Sequence, residues 1–262
     1  MIYVDVEALY ISASVFTEAL SGSYSPFSLV ENYRKSLSEA FAMPIQKQGF
    51  TVHFEDSPVA SRMLSFPSIK DNIQRILSVE EIEREQICLS ISRAIESLYA
   101  NIPGFRQIIE LQVAHVVVAR NTRHGSGTTS MCPAHIWLSP ATNWTIFDYV
   151  ECLYHEVIHL NLFLLDMVHG LYRDRLVLSD PDYYSRSSIK GVERPIDKSF
   201  HAMCVTNGLV ELFKAYGRYE EAQALKDEVV LAMSEFLRLE SGLSNMGKQI
   251  LRQLQEKYTV DS

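Results

Sequence analysis

The chain has 262 residues, which is long enough to bury a hydrophobic core without disulfide bonds. Hydrophobic residues make up 47% of the sequence and charged residues 21%, the composition of an ordinary globular protein. With 24 basic and 32 acidic residues the formal charge is −8, which gives no electrostatic reason to expect a nucleic acid or an anionic membrane as partner. A peptide or a small molecule is the expected partner, and no pattern in the sequence indicates an oligomeric state.

The beginning of the chain is unlike a secretion signal, because two acidic residues fall where an apolar run is required. The most apolar stretch, residues 157–168, is interrupted by His159, Asn161 and Asp166 and is too short to span a bilayer. The four cysteines form no close pair of the kind used in zinc knuckles or redox motifs. We therefore expect a cytoplasmic protein with free thiols and no membrane span.

Helical periodicity, with apolar residues three and four positions apart, dominates the sequence. It predicts helices over residues 27–42, 68–77, 80–98, 144–168, 199–216, 219–239 and 245–258. Strand-like runs are fewer and cover residues 50–54, 112–119 and 134–139. The predicted fold class is α+β and helix-rich.

Two irregular segments interrupt this pattern. Residues 121–130 contain two glycines and a run of Ser and Thr, and predict a polar loop between two strands that pair as a hairpin or at a sheet edge. Residues 169–195 lose the helical period and carry turn signals, which is typical of a connection between subdomains. We therefore expect a mainly helical region over residues 1–110 and a second region over residues 111–262, which could also form one compact domain.

The strongest chemical signal is an HExxH motif, formed by His155, Glu156 and His159 in a window without Gly or Pro. Histidines four positions apart share one helix face, so their ring nitrogens can bind the same cation. Glu156 lies about 100° around the helix from His155, where it can reach a water or substrate on the metal instead of acting as a ligand. The motif predicts a zincin-like metal helix, accompanied by a small antiparallel sheet.

The residues around the motif predict that this helix is buried. Positions 157, 158, 160 and 162–165 are all apolar. In such surroundings three unpartnered polar side chains would each cost about 1–3 kcal/mol, and a bound metal removes that cost. The alternative is that hydrogen bonds within the core satisfy the two histidines.

A mononuclear catalytic site usually has a third protein ligand and keeps positions open for water or substrate. His201 is the best candidate, because it lies near the start of a predicted helix. The Pro, Asp and Ser within residues 195–199 are typical of a helix N-terminus. A capping or packing role is the alternative for this histidine. His169 would point away from the metal if the motif helix continues. Glu211 is the acidic alternative, about 80° around the helix from His201.

Two arginines could hold a carboxylate of a peptide or a cosubstrate. Arg194 precedes a proline shortly before His201, and Arg120 ends a predicted strand. A planar guanidinium binds a carboxylate through two parallel hydrogen bonds, which makes arginine suited to this role. A surface or structural ion pair is the alternative for both residues.

Together these segments resemble a bacterial family of HExxH-motif peptide-modification proteins, found beside genes for ribosomally made peptides. The resemblance covers roughly the C-terminal three-fifths of the chain. Only the HExxH motif is specific by itself. The other segments support the resemblance through the order in which they follow one another. The matching segments are the Ser/Thr-rich loop with residues 133–139, the HExxH motif, Arg194 with Pro195, His201 at the opening of a helix, and residues 242–247.

The resemblance implies an iron(II)- and 2-oxoglutarate-dependent oxygenase that hydroxylates a side chain of a peptide. It implies metal ligation by His155, His159 and His201. It also implies that Arg194 holds a carboxylate of 2-oxoglutarate, with Arg120 as the next candidate.

The same resemblance leaves Glu156 outside the ligand set, where it would orient a ligand or a water. Ala202 departs from the family pattern, which has glycine after the downstream histidine, but the side chain stays small. Residues 1–100 match no motif of the family. Substrate recognition in that region can therefore differ.

Two other functions stay open at this point. A zinc metallopeptidase would use the same helix with Glu156 as general base, and from the motif alone it would be the first choice. A non-catalytic, metal-stabilised peptide-binding protein is the third possibility, which a closed four-ligand site would support. Either enzyme could hold an extended peptide against an edge strand such as residues 134–139.

Overall fold

The structure, a computed structural model, describes residues 1–22, 25–70, 76–121 and 125–260. The described chain is rich in helix and contains a small mixed sheet, which confirms the predicted α+β class. It divides into two compact units, which we name the sheet unit (residues 10–160) and the helical unit (residues 1–9 with 161–262). Residues 51–54 pair with residues 115–118 in one sheet, so this sheet includes residues from both sides of position 110.

Most predicted helices are present within a few residues of their expected bounds. The segment predicted over residues 68–77 is represented by a short helix, and residues 71–75 lie outside the described chain. None of the helices in the described ranges has both the length and the apolar character needed to cross a bilayer. The helices are α1 (Val6–Ser21), α2 (Leu29–Phe41), α3 (Pro58–Leu64), α4 (Pro67–Lys70), α5 (Glu81–Asn101), α6 (Phe105–Gln112), α7 (Ile146–His169), α8 (Ile196–Ala215), α9 (Tyr219–Arg238) and α10 (Asn245–Val260).

Three helices were not predicted: α1, α3 and α6. In α1 the apolar residues occur on several faces, and Ile11 and Leu20 are more than half exposed, so the sequence shows no single apolar stripe. The seven-residue α3 and the eight-residue α6 are too short to establish a period, and Gln112, where a strand is predicted to begin, is the last residue of α6.

The sheet of the sheet unit has the order β1-β2-β4-β3. Its strands are β1 (Thr51–Phe54), β2 (His115–Val118), β3 (Gly125–Gly127) and β4 (His135–Ser139). The neighbours β1, β2 and β4 run parallel, and only the edge strand β3 is antiparallel.

The expectation of an antiparallel sheet was therefore wrong for two of the three strand pairings and correct for the pairing of β3 with β4. Helices α3 to α6 connect β1 to β2, and the extra strand β3 returns the chain so that β2 and β4 start from the same end. All residues of β2 and β4 are buried, which is typical of parallel strands covered on both faces. In the sequence, the unbroken apolar runs at 116–118 and 136–138 are the signal that these strands are buried on both faces.

The two faces of the sheet have different partners. Val117 and Trp137 lie on one face, in a core cluster with Met43 and Met63. Because side chains alternate along a strand, Leu138 lies on the opposite face, together with its antiparallel partner Ser126 of β3. This second face contacts α7, because the Ser126 hydroxyl donates to Glu156 of that helix.

A buried arginine connects α2 to the end of α6. The Arg34 side chain is fully buried, and its guanidinium donates to the carbonyl oxygens of Gly49 at 2.5 Å, Glu110 at 2.6 Å and Val113 at 2.7 Å. Burial lowers its pKa to about 10. The carbonyls at the end of α6, which have no partner within the helix, are thereby satisfied by a cation.

The helical unit is organised around α8, which packs along α9. Asn207 of α8 accepts hydrogen bonds from Lys257 at 2.7 Å and Tyr258 at 2.8 Å, and donates to the hydroxyl of Tyr3. Asn161 donates to the carbonyl of Tyr3 at 2.9 Å. These bonds fix the amino-terminal residues to this unit.

The segment predicted to be irregular, residues 169–195, contains short turns of 3-10 helix and a hairpin whose two strands have two residues each. The hairpin pairs β5 (Ser185–Arg186) with β6 (Glu193–Arg194) in antiparallel register. This agrees with the loss of helical period in the sequence.

Candidate metal site on helix α7

Helix α7 begins at a reciprocal cap. Thr145 donates to the Asp148 carboxylate from both its backbone nitrogen, at 2.5 Å, and its hydroxyl, at 2.7 Å. The backbone nitrogen of Asp148 donates back to the Thr145 hydroxyl at 3.3 Å. This capping box fixes the start of a helix that then runs without Gly or Pro to His169, so the HExxH motif lies in its middle.

The structure brings His155 and His159 together as predicted. Their ring centroids are 5.0 Å apart on successive turns of α7, and the rings are tilted by 52°. The His155 side chain keeps 25% of its surface exposed. Two imidazoles in this arrangement supply two nitrogen donors, a set suited to zinc or iron.

Glu156 points into the protein. It is only 2% exposed, and its Oε1 accepts a hydrogen bond of 2.7 Å from the Ser126 hydroxyl. The same oxygen lies 3.8 Å from Nε2 of His155. Burial raises the pKa of Glu156 to about 8, and the hydrogen bond from Ser126 acts in the opposite direction.

Ser126 was not singled out from the sequence, where it stood in a segment predicted to be a loop. Residues 125–127 form β3 instead, and residues 122–124 lie outside the described chain. The Cys152 thiol, one turn before Glu156 on α7, also contacts the Ser126 hydroxyl, and burial raises its pKa to about 12. The only sequence signal for this cluster was the position of Cys152 four residues before Glu156.

The predicted third ligand, His201, belongs to the helical unit. It lies on α8, is 8% exposed, and its ring centroid is 5.3 Å from that of Phe163. Burial lowers its pKa to about 4, so the ring is neutral at pH 7, the form that binds metals. Across the described residues, no three His, Cys, Asp or Glu side chains are grouped so that they could hold a metal ion. Ligation by all three histidines thus stays a prediction.

Glu211, the acidic alternative to His201, has other partners. Its carboxylate lies 2.8 Å from Nζ of Lys257 and 3.4 Å from Nζ of Lys214. Roughly half of the Glu211 side chain is exposed. This arrangement is that of a surface ion pair and gives no reason to prefer Glu211 over His201.

The two candidate arginines differ in their surroundings. The Arg120 guanidinium already binds a carboxylate, that of Glu83 at 2.5 Å, and it also donates to the carbonyl of Pro140. Arg194 lies on β6, is half-buried, and makes no side-chain hydrogen bond or ion pair with any other described residue. Arg194 is thus the better candidate for a carboxylate that comes from outside the chain.

A second histidine cluster, which sequence reasoning missed, lies on neighbouring strands of the sheet. His53 Nε2 is 2.9 Å from His115 Nδ1, and His115 Nε2 is 2.8 Å from the carbonyl of Pro44. Because a carbonyl only accepts, His115 carries its proton on Nε2 and accepts from His53. His135 donates from Nδ1 to the Pro133 carbonyl, and its buried Nε2 has no hydrogen-bond partner among the described residues.

This cluster is separate from the HExxH motif. His135 precedes Trp137 by two positions on β4, so both lie on the sheet face opposite to Ser126 and Glu156. The ring centroids of His115 and His135 are 4.6 Å apart. Burial lowers the pKa of each of these two histidines to about 4.

Comparisons with known proteins do not assign this site. No family model matches the chain, and no curated protein matches it significantly. The resemblance to HExxH-motif peptide-modification proteins therefore depends on the segments quoted from the sequence.

Proposed function

We propose that this protein is an iron(II)- and 2-oxoglutarate-dependent oxygenase that hydroxylates a side chain of a ribosomally made peptide. One observation carries the proposal. The HExxH pair, His155 and His159, lies beside a glutamate that is buried and hydrogen-bonded to Ser126. A glutamate held in this way can orient a ligand or a water beside the metal, which is the role that the proposed oxygenase gives it.

The ligand set proposed for the metal is His155, His159 and His201. Three protein ligands on one side of a six-coordinate iron leave two positions for 2-oxoglutarate and one for dioxygen. Bound there, iron(II) would supply the redox chemistry that joins dioxygen to the two organic substrates. Burial favours the neutral imidazole of His201, the form that ligation needs.

The overall reaction balances without any further reductant. One oxygen atom of dioxygen enters a C–H bond of the peptide to give an alcohol, and the other enters 2-oxoglutarate, which loses carbon dioxide and becomes succinate. The peptide C–H bond and 2-oxoglutarate each provide two of the four electrons. The protein therefore needs to bind only a peptide, dioxygen and 2-oxoglutarate.

Arg194 is proposed to bind the far carboxylate of 2-oxoglutarate. Its guanidinium has no partner among the described residues, whereas that of Arg120 is engaged by Glu83. Arg194 also precedes Pro195, and the residue before a proline favours the extended backbone that β6 shows. Arg120 remains the second candidate.

A zinc metallopeptidase with Glu156 as general base is the second candidate function. The observation that favours it is the antiparallel edge strand β3, which contacts α7 through the hydrogen bond between Ser126 and Glu156. In a zincin-like arrangement an edge strand beside the metal helix holds the extended peptide. The zincin-like character of the fold is part of this proposal.

The substitution Glu156→Gln separates the two chemistries. A peptidase that loses its general base keeps its metal but loses nearly all turnover, while an oxygenase loses only a supporting interaction. We expect the iron-loaded Glu156→Gln protein to keep measurable release of succinate from 2-oxoglutarate. The assay is run without peptide and with ascorbate, which supplies the two electrons that the peptide C–H bond would otherwise provide.

The matching assay for the alternative is cleavage of an unstructured protein such as casein by the zinc-loaded chain. Cleavage by the parent protein, with complete loss in Glu156→Gln at normal zinc content, would favour the peptidase. Stoichiometric metal with neither activity would favour a non-catalytic, metal-stabilised peptide-binding protein.

A further inference from the structure

We infer that Ser126 is a positioning residue that sets the orientation of the Glu156 carboxylate beside His155. The inference rests on the proposed function for its catalytic consequence, and on the geometry of the sheet unit for its structural basis. Its first element is the 2.7 Å hydrogen bond from the Ser126 hydroxyl to Oε1 of Glu156. This distance is typical of a well-formed hydrogen bond from a hydroxyl to an oxygen acceptor.

The register of the sheet fixes the direction of the Ser126 side chain. Ser126 pairs with Leu138 of β4, and the ladder continues on both sides through Gly125 and Gly127. Alternation along the strand directs Ser126 to the face that carries Leu138. The hydroxyl therefore reaches Glu156 from a paired strand rather than from a loose loop.

The two glycines make Ser126 the one side chain of this strand. A Cβ at Gly127 would lie 2.5 Å from the indole nitrogen of Trp137, a distance that real Cβ atoms do not adopt. Gly125 has φ +146°, a conformation that residues with a Cβ rarely adopt. The backbone of β3 thus lies close to Trp137. The only side chain of this strand, that of Ser126, donates its hydrogen bond to Glu156.

The bond selects which oxygen faces the predicted ligand. Oε1, the atom that Ser126 holds, is also the atom 3.8 Å from Nε2 of His155. Loss of the hydroxyl would free the carboxylate to rotate about its last torsion, which is soft. The distance to His155 and the direction of the second oxygen would then no longer be fixed. Supporting groups of this kind tune a metal site without binding the metal.

Cys152 is the other α7 side chain that contacts the Ser126 hydroxyl. Its thiol contacts Ser126 from the preceding turn of α7 and is held protonated by burial. Of the two α7 side chains that contact Ser126, only Glu156 offers a carboxylate oxygen, the stronger acceptor.

The test uses the full chain with three single substitutions, the double variant Ser126→Ala/Glu156→Gln and one control. Ser126→Ala removes the hydroxyl, Ser126→Thr keeps it with a β-branched side chain that strands accept, and Glu156→Gln removes the ionisable partner. The control is Thr128→Val, which removes a neighbouring hydroxyl that donates 2.7 Å to the carbonyl of His135 and does not contact Glu156.

The first readout is succinate release from 2-oxoglutarate by the iron-loaded proteins without peptide, with ascorbate as the source of the remaining two electrons. Ser126→Ala should lower kcat about tenfold, the effect of losing one buried hydrogen bond, with KM for 2-oxoglutarate changed less than about twofold. Ser126→Thr should restore most of the loss, and Thr128→Val should leave kcat per folded chain unchanged. The Ser126→Ala/Glu156→Gln double variant should be no slower than Glu156→Gln alone.

The second readout needs no turnover. Cobalt(II) alone is titrated into each metal-free protein, and its visible absorption reports the surroundings of the metal. We expect Ser126→Ala and Glu156→Gln to shift the bands in the same way, with Ser126→Thr and Thr128→Val like the parent. Affinity for cobalt should change less than about fivefold in Ser126→Ala, because no ligand is lost.

The outcomes separate the inference from the proposed function. Parent-like kcat and cobalt spectrum in Ser126→Ala, or fully additive losses in the double variant, would overturn the positioning role while leaving the oxygenase intact. A parent without succinate release, but with a cobalt spectrum that Ser126→Ala and Glu156→Gln shift alike, would overturn the oxygenase and support the positioning role. No cobalt binding by the parent would overturn both.

Discussion

The rings of His155 and His159 lie 5.0 Å apart on successive turns of α7, and the helix is continuous between them. Helix geometry alone enforces this closeness, because residues four positions apart share one face. The pair is the part of the candidate site that depends least on tertiary packing. It therefore provides the first test.

Replacing His155 or His159 by Ala should abolish metal binding and leave the fold largely intact, since each substitution removes one ligand from a helix that alanine favours. The measurement is metal content after reconstitution with iron(II), together with the far-ultraviolet circular dichroism spectrum. The control is His169→Ala at the end of the same helix, which should keep its metal. Stoichiometric metal in both His155→Ala and His159→Ala would disprove the assignment.

Arg194→Ala should raise the dissociation constant of 2-oxoglutarate roughly thirtyfold or more, because losing the partner of a desolvated carboxylate costs about 2–5 kcal/mol. Arg194→Lys should also weaken 2-oxoglutarate more than metal, because an ammonium cannot form the two-pronged bond. Calorimetric titration into the iron-loaded proteins measures both effects. Arg186→Ala, on the paired strand of the same hairpin, serves as control. Unchanged affinity in Arg194→Ala would transfer the role to Arg120.

The histidine cluster on the sheet should make the protein sensitive to acid. Burial lowers the pKa of His115 and of His135 to about 4, while an unfolded histidine titrates near 6.5. The unfolded state therefore takes up protons first. The stabilisation is fully present above about pH 6.5 and is lost as the pH falls from there toward about 4.

Urea unfolding at pH 7.5 and pH 5 measures this effect. We expect the two histidines to lower the free energy of unfolding by on the order of 1–3 kcal/mol between the two conditions, after metal is removed from all samples, whereas Glu156, whose pKa is raised to about 8, acts in the opposite direction. His135→Gln keeps a hydrogen-bond donor but no titrating group, so it should show a flatter pH dependence. Equal pH dependence in His135→Gln and the parent would exclude His135 as a contributor.

Arg34→Met should destabilise the protein by about 3 kcal/mol or more, because it removes a buried donor and leaves the carbonyl oxygens of Gly49, Glu110 and Val113 without that partner. The urea midpoint at pH 7.5 measures this loss. The matched control is Lys35→Met on the adjacent residue, whose side chain is 66% exposed and pairs only with Glu39. That change should stay within about 0.5 kcal/mol. A parent-like midpoint in Arg34→Met would show that the carbonyls find other donors.

The sequence predicted the features that depend on local periodicity. Helix α7, its buried motif and the helices after it follow from spacing within one segment, and so does the closeness of His155 and His159. The parallel pairing of β2 with β4 did not follow, because an apolar run does not identify its neighbour in a sheet. Strand β3 was also missed, since a Gly-Ser-Gly segment has no strand preference of its own.

Contacts between distant segments were beyond the same reasoning. The hydrogen bond between Ser126 and Glu156 joins residues 30 positions apart, and the one between His53 and His115 joins residues 62 positions apart. Both depend on strand register, which the sequence did not define. Arg34 appeared as an ordinary charged residue of an amphipathic helix, and only the packing of α2 against α6 shows that it is buried.

The most direct test of the proposed function is the metal content and 2-oxoglutarate dependence of protein purified without oxygen. The proposal predicts stoichiometric iron and release of succinate that requires both 2-oxoglutarate and dioxygen, and that disappears in the His155→Ala protein. Stoichiometric zinc, with no succinate formed after iron is supplied, would contradict it.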